Sequence, residues 1–149
     1  MTRTRWTQIL LGLNLVTLLP LAIWPLVSPR SFYGDFPGGP YHWIDINGPY
    51  NEHFLRDFGA LNAAIVVVIV FALWKPSVAL LQATGVAIAV YALPHMVYHL
   101  AHLDVYEPDE KLIAVAPLAL QFFMGLAVVW LATSRNPVSR HDVAADSVI

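Results

Sequence analysis

Four apolar runs, separated by short polar or aromatic segments, set the pattern of this chain. They cover residues 6–27, 54–74, 77–103 and 112–133. A helix that crosses a bilayer needs roughly 20 mostly apolar residues, and each run meets that length. The pattern predicts an all-α fold: a four-helix transmembrane bundle over residues 1–133, with a polar tail over 134–149. The second run carries Arg56 and Asp57 near its start, where charged groups reach the interface. The first run follows Arg3 and Arg5 and so resembles a signal peptide. Its core is long, however, and Trp24-Pro25-Leu26-Val27-Ser28 lacks a small-x-small cleavage site, so a retained helix is expected.

The segments between the runs add orientation. Arg3 and Arg5 lie before the first run, Lys75 in the link between the second and third, and Arg135 and Arg140 after the fourth. The link between the third and fourth is acidic, with Asp104, Glu107, Asp109 and Glu110 beside Lys111. Positive charge collects on the cytoplasmic side, so both termini are expected there, in the cell membrane. The first loop, from Ser28 to Asn51, is rich in Pro, Gly and aromatics, including Phe32, Tyr33, Phe36, Tyr41, Trp43 and Tyr50. It is too aromatic for a disordered linker and reads as a structured extracytoplasmic cap over the bundle. At its end, Pro49-Tyr50-Asn51-Glu52 is a helix start, with Asn51 as N-cap and Glu52 near the positive helix end.

Composition agrees with this reading and narrows it. Of the 149 residues, 58% are hydrophobic and 12% charged, with a mean hydropathy of +0.61 and a net charge of −2. The bilayer is therefore the expected environment, and nothing favours nucleic acid. The chain has no cysteine, which removes disulfides, thiolate metal sites, Fe–S clusters and a cysteine nucleophile.

Against this apolar background the histidines stand out. His95, His99 and His102 follow an i, i+4, i+7 spacing inside residues 77–103, which contain no Asp, Glu, Lys or Arg. A helix would place all three on one stripe. Pro94, just before them, leaves the Val90 carbonyl without its helical donor and predicts a kink. The topology brings this stripe to the same membrane face as His53 and Asp57, an i, i+4 pair at the start of the second run, with His42 in the loop above. Ionisable groups inside a membrane are costly and commonly mark function.

Imidazole binds Zn, Cu or Fe, and carboxylates add oxygen ligands. The expected metal ligands are His95, His99, His102 and His53, with Asp57 as ligand or orienting group. The cofactor expected is a divalent transition metal. Haem is less favoured, because bis-histidine ligation needs an opposing helix and the first and fourth runs carry no histidine. The other reading is a hydrogen-bonded structural cluster. Asn14, Thr17, Asn62 and Gln121 are polar positions within the runs, suited to interhelical bonds.

Three function classes follow. The first is a metal-dependent or redox membrane enzyme opening to the outer face. The second is a non-catalytic accessory subunit that docks a membrane protein partner or a second copy. The third, a transporter, is the weakest, because the inner half of the bundle offers no polar path.

Two motifs carry a family resemblance: Gly48-Pro-Tyr-Asn-Glu-His-Phe-Leu-Arg-Asp-Phe-Gly-Ala-Leu-Asn62 and Pro94-His-Met-Val-Tyr-His-Leu-Ala-His-Leu-Asp104. They resemble a group of actinobacterial four-helix membrane proteins that is loosely similar to the DoxX-like superfamily. The resemblance spans most of the chain and implies a four-helix membrane fold. DoxX-like proteins include a subunit associated with quinone-linked oxidation, which adds weight to redox chemistry. No catalytic residue carries over from them.

Overall fold

A link of only three residues, 75–77, joins two long helices and forces them to run antiparallel. The computed structural model describes residues 2–134. It contains four long helices, α1 (Arg3–Val27), α3 (Glu52–Trp74), α4 (Val78–Ala101) and α5 (Glu110–Thr133), and a short one, α2 (Pro29–Asp35). All four long helices have the length and apolar composition to cross a membrane, so the chain is a multi-pass membrane protein. The expected polar tail, including His141, lies outside the described residues except for Ser134.

Local chemistry sets several boundaries. The Asn51 side chain caps α3 by accepting from the Phe54 N–H at 3.1 Å, as its position before Glu52 predicts. Ser77 does the same for α4, accepting from the Leu80 N–H at 3.2 Å. The α4 helix continues through Pro94 to Ala101. The next residue, His102, leaves the helical region with φ −125° and ψ 37°.

The bundle is built from two close pairs, α1 with α3 and α4 with α5, while α3 and α4 touch less closely. Helices α4 and α5 approach at glycines: a Cβ placed on either Gly85 or Gly125 would lie 2.7 Å from the other's carbonyl oxygen. Small residues permit this backbone approach in lipid, where packing rather than water drives helix association. Leu11, Leu18, Ile69, Ala72, Leu81, Ile88, Val128 and Ala132 form the core. Val16, Val27, Leu112 and Trp130 are among the large apolar residues left exposed, and such a surface suits a bilayer.

The first loop is folded. After α2 come β1 (Pro37–Gly38) and β2 (Tyr41–His42), an antiparallel pair, and then a 3₁₀ turn over Asp45–Asn47. Its aromatic rings hold it together. Phe32 is buried between Trp24, Phe36 and Phe58, and Phe36 packs in turn on Trp43. At the opposite end of the bundle, Arg3 Nη1 donates to the Ser134 carbonyl, so the start of α1 and the end of α5 lie together.

Candidate functional site: an imidazole pair closed by a tyrosine

The last three turns of α4 carry Tyr91, His95 and His99 at successive i, i+4 positions, which places them on one helical face. His95 Nε2 and His99 Nε2 face one another at 3.0 Å. The ring centroids are 4.8 Å apart and the planes are inclined by 37°. The other nitrogen of His99, Nδ1, lies 2.8 Å from the Tyr106 hydroxyl. A hydrogen-bonded chain therefore runs Tyr106, His99, His95. Its direction follows the tautomers: either Tyr106 donates to Nδ1 and His99 donates onward from Nε2, or both bonds point the other way. In both cases one proton lies between the two Nε2 atoms.

Tyr106 follows the 3₁₀ turn over Leu103–Val105, which folds the chain back across the end of α4. It is 4% exposed. Trp43 from the first loop packs edge-on against its ring, with centroids 6.1 Å apart. The Asn47 amide donates to the Trp43 carbonyl at 2.6 Å and also approaches the Tyr106 hydroxyl. Burial pushes the Tyr106 phenol above its ordinary pKa, and the Asn47 contact opposes that shift. The phenol is thus a neutral donor or acceptor at physiological pH. In the first loop, Trp43 Nε1 and Asp45 Oδ1 are buried without a hydrogen-bond partner among the described residues.

The structure brings together two of the five residues expected as metal ligands. His102, at the helix terminus, turns its Nδ1 to the Tyr98 carbonyl at 2.8 Å and stacks on the Tyr98 ring. His53 and Asp57 pair with each other at 3.2 Å and are 88% and 62% exposed. Among the described residues, no three of His, Asp and Glu come together in a way that could hold a metal. His42 bonds within its own loop, through Nδ1 to the Gly34 carbonyl. Arg56 joins Glu52 at 2.9 Å and donates to the Leu26 carbonyl, so it ties the start of α3 to the end of α1. What the spacing argument missed is Tyr106. Its only sequence signal is a lone aromatic in an acidic link.

Deeper in the bundle, Asn14, Asn62, Thr84 and Gln121 are buried. Asn14 and Asn62 each return their Nδ2 to the backbone one turn earlier, at Leu10 and Phe58, both at 2.8 Å. No family model matches the chain, and no curated protein or solved structure shows significant similarity to it.

Proposed function

We propose that this multi-pass membrane protein holds a divalent transition metal between His95 and His99, at the outer end of its bundle, with both termini cytoplasmic. The observation that carries the reading is the facing of the two Nε2 atoms at 3.0 Å. Two nitrogens bound at about 2.0–2.1 Å, subtending ~90–109° at the metal, stand roughly 2.8–3.4 Å apart, so the pair already has a chelating bite. Tyr106 adds to the argument. A metal-bound imidazole commonly gives its second N–H to an oxygen that fixes its tautomer, and the Tyr106 hydroxyl is placed to accept from His99 Nδ1. For both Nε2 lone pairs to face a metal, each ring would carry its proton on Nδ1, so the proton shared between the rings would move to His95 Nδ1.

Zn, Cu and Fe all suit imidazole ligands. Only two protein ligands are supplied, so the remaining positions fall to water or substrate. Such a centre can act as a Lewis acid or activate bound water, and with Cu or Fe it can also exchange electrons. The resemblance to DoxX-like proteins favours the redox branch. His102, His53 and Asp57 have no part in this centre.

The test is elemental analysis of detergent-purified protein, with a visible spectrum. About one metal per chain is expected, lost in both His95→Ala and His99→Ala and kept in His102→Ala and His53→Ala. Equal metal content in all four variants overturns the reading.

A second reading rests on a different feature of the same geometry. The imidazoles satisfy one another, and Tyr106 carries the contact on to Trp43 in the first loop. The cluster would then be a structural clasp in an accessory subunit that docks a membrane partner or a second copy. Metal-free wild-type protein with a lowered melting temperature in His99→Ala supports this reading over the first.

A further inference from the structure

We infer that one anionic phospholipid is held at the end of the bundle opposite the first loop, with its phosphate at the seam where α1, α3 and α4 meet. Charge is sorted between the two ends. Every Asp and Glu among the described residues lies at the loop end, together with Arg30, Arg56 and Lys111. The opposite end carries Arg3, Arg5 and Lys75 and, among the described residues, no acid. Arg3 is taken up by the Ser134 carbonyl. Arg5 and Lys75 are exposed, and Lys75 Nζ stands 4.5 Å from the centre of the Trp74 ring. Trp6 and Trp74 are 47% and 67% exposed. Exposed Trp collects at the level of lipid headgroups, so these cations lie at the depth of lipid phosphates.

A small pocket adjoins them. Thr4, which precedes Arg5, and Gln8 line it on α1, and Pro76, which follows Lys75, lines it from the α3–α4 link. The buried Leu11, Ala72 and Leu81 close its deeper side. Its volume is about 10 Å³, room for one water-sized group. It therefore takes a single phosphate oxygen, while the rest of the headgroup lies across the mouth. The Thr7 hydroxyl, also in the lining, donates to the Arg3 carbonyl at 2.9 Å. The donors for a phosphate oxygen are thus the Thr4 hydroxyl and the Gln8 amide. A zwitterionic lipid presents the same phosphate without net charge, so Arg5 and Lys75 select the anionic one. Each such cation near an anionic surface strengthens attachment roughly fivefold. The inference does not depend on a metal at the imidazole pair, which lies at the other end.

Native mass spectrometry of the full chain in detergent tests it, with dioleoylphosphatidylglycerol, dioleoylphosphatidylcholine and inorganic phosphate as probes. One phosphatidylglycerol per chain is expected, bound in preference to phosphatidylcholine and not displaced by inorganic phosphate at the same concentration. Lys75→Gln weakens binding about fivefold and Arg5→Gln/Lys75→Gln roughly 25-fold, whereas Arg30→Gln, at the loop end, leaves it unchanged. Thr4→Val/Gln8→Leu keeps every charge and weakens binding about tenfold, through lost hydrogen bonds to a charged group. Equal binding of the two lipids, an equal loss in Arg30→Gln, unchanged affinity in Thr4→Val/Gln8→Leu, or displacement by inorganic phosphate overturns the inference.

Discussion

The Tyr106 hydroxyl lies 2.8 Å from His99 Nδ1, although the two residues belong to different elements and the chain turns back between them. That contact sets which nitrogen of His99 is free for His95. It also ties the end of α4 to Trp43 of the first loop. The ring that orients the imidazole is thus part of the aromatic network that caps the bundle.

Replacing Tyr106 with Phe keeps the ring and removes the hydroxyl. Loss of an orienting outer partner commonly weakens metal binding about 10–100-fold, and a single lost hydrogen bond costs roughly 1 kcal/mol of stability. We expect metal affinity in Tyr106→Phe to fall by that factor while the protein stays folded. Metal titration alongside a melting curve separates the two effects. An unchanged affinity would show that Tyr106 does not orient His99.

The α4–α5 contact makes a sharper structural prediction. A Cβ on Gly85 would meet the Gly125 carbonyl oxygen at 2.7 Å and Val129 Cγ2 at 2.8 Å, so the helices must separate. Overpacking of this kind costs about 1–3 kcal/mol. Gly85→Ala should therefore unfold at lower denaturing detergent than wild type. Gly12→Ala, where a Cβ meets nothing within 4 Å, is the matched control and should be close to neutral or slightly stabilising.

The His53–Asp57 pair is exposed at the start of α3. Solvated ion pairs contribute about 0–1 kcal/mol. Asp57→Asn should shift the melting temperature little and leave metal content unaltered. A loss of metal in this variant would return His53 and Asp57 to the site.

Asn51 closes the N-terminus of α3 through its side-chain oxygen. Substitution by Ala should cost ~1 kcal/mol, typical of a lost N-cap. Backbone hydrogen exchange over the first turn of α3 should rise, and Asn51→Ser should restore protection.

Much of the bundle is legible from residue order. The four apolar runs, the Asn51 cap and the face shared by His95 and His99 follow from helical period and local side-chain chemistry, which act within a few residues. His102 shows where that logic stops. Its i+7 spacing puts it on the stripe only if the helix continues, and the helix ends at Ala101. Once the backbone leaves the helical region, the projection no longer applies, and the ring settles on Tyr98. His53 and Asp57 illustrate a second limit. Membrane topology places them at the right end, but depth alone does not set the direction a side chain takes around its helix.

By itself, the order of residues determined that this chain has four helices long and apolar enough to cross a membrane, where each lies to within about three residues, and that two imidazoles share a face near one end. Only the tertiary structure decided that these rings meet through Nε2, that Tyr106 closes over them, and that Gly85 and Gly125 bring two helices into backbone contact. The physical reason is range. Apolar periodicity and capping are local and repeat along the chain, whereas a contact of about 3 Å between polar atoms requires distant segments to be placed to a fraction of an ångström.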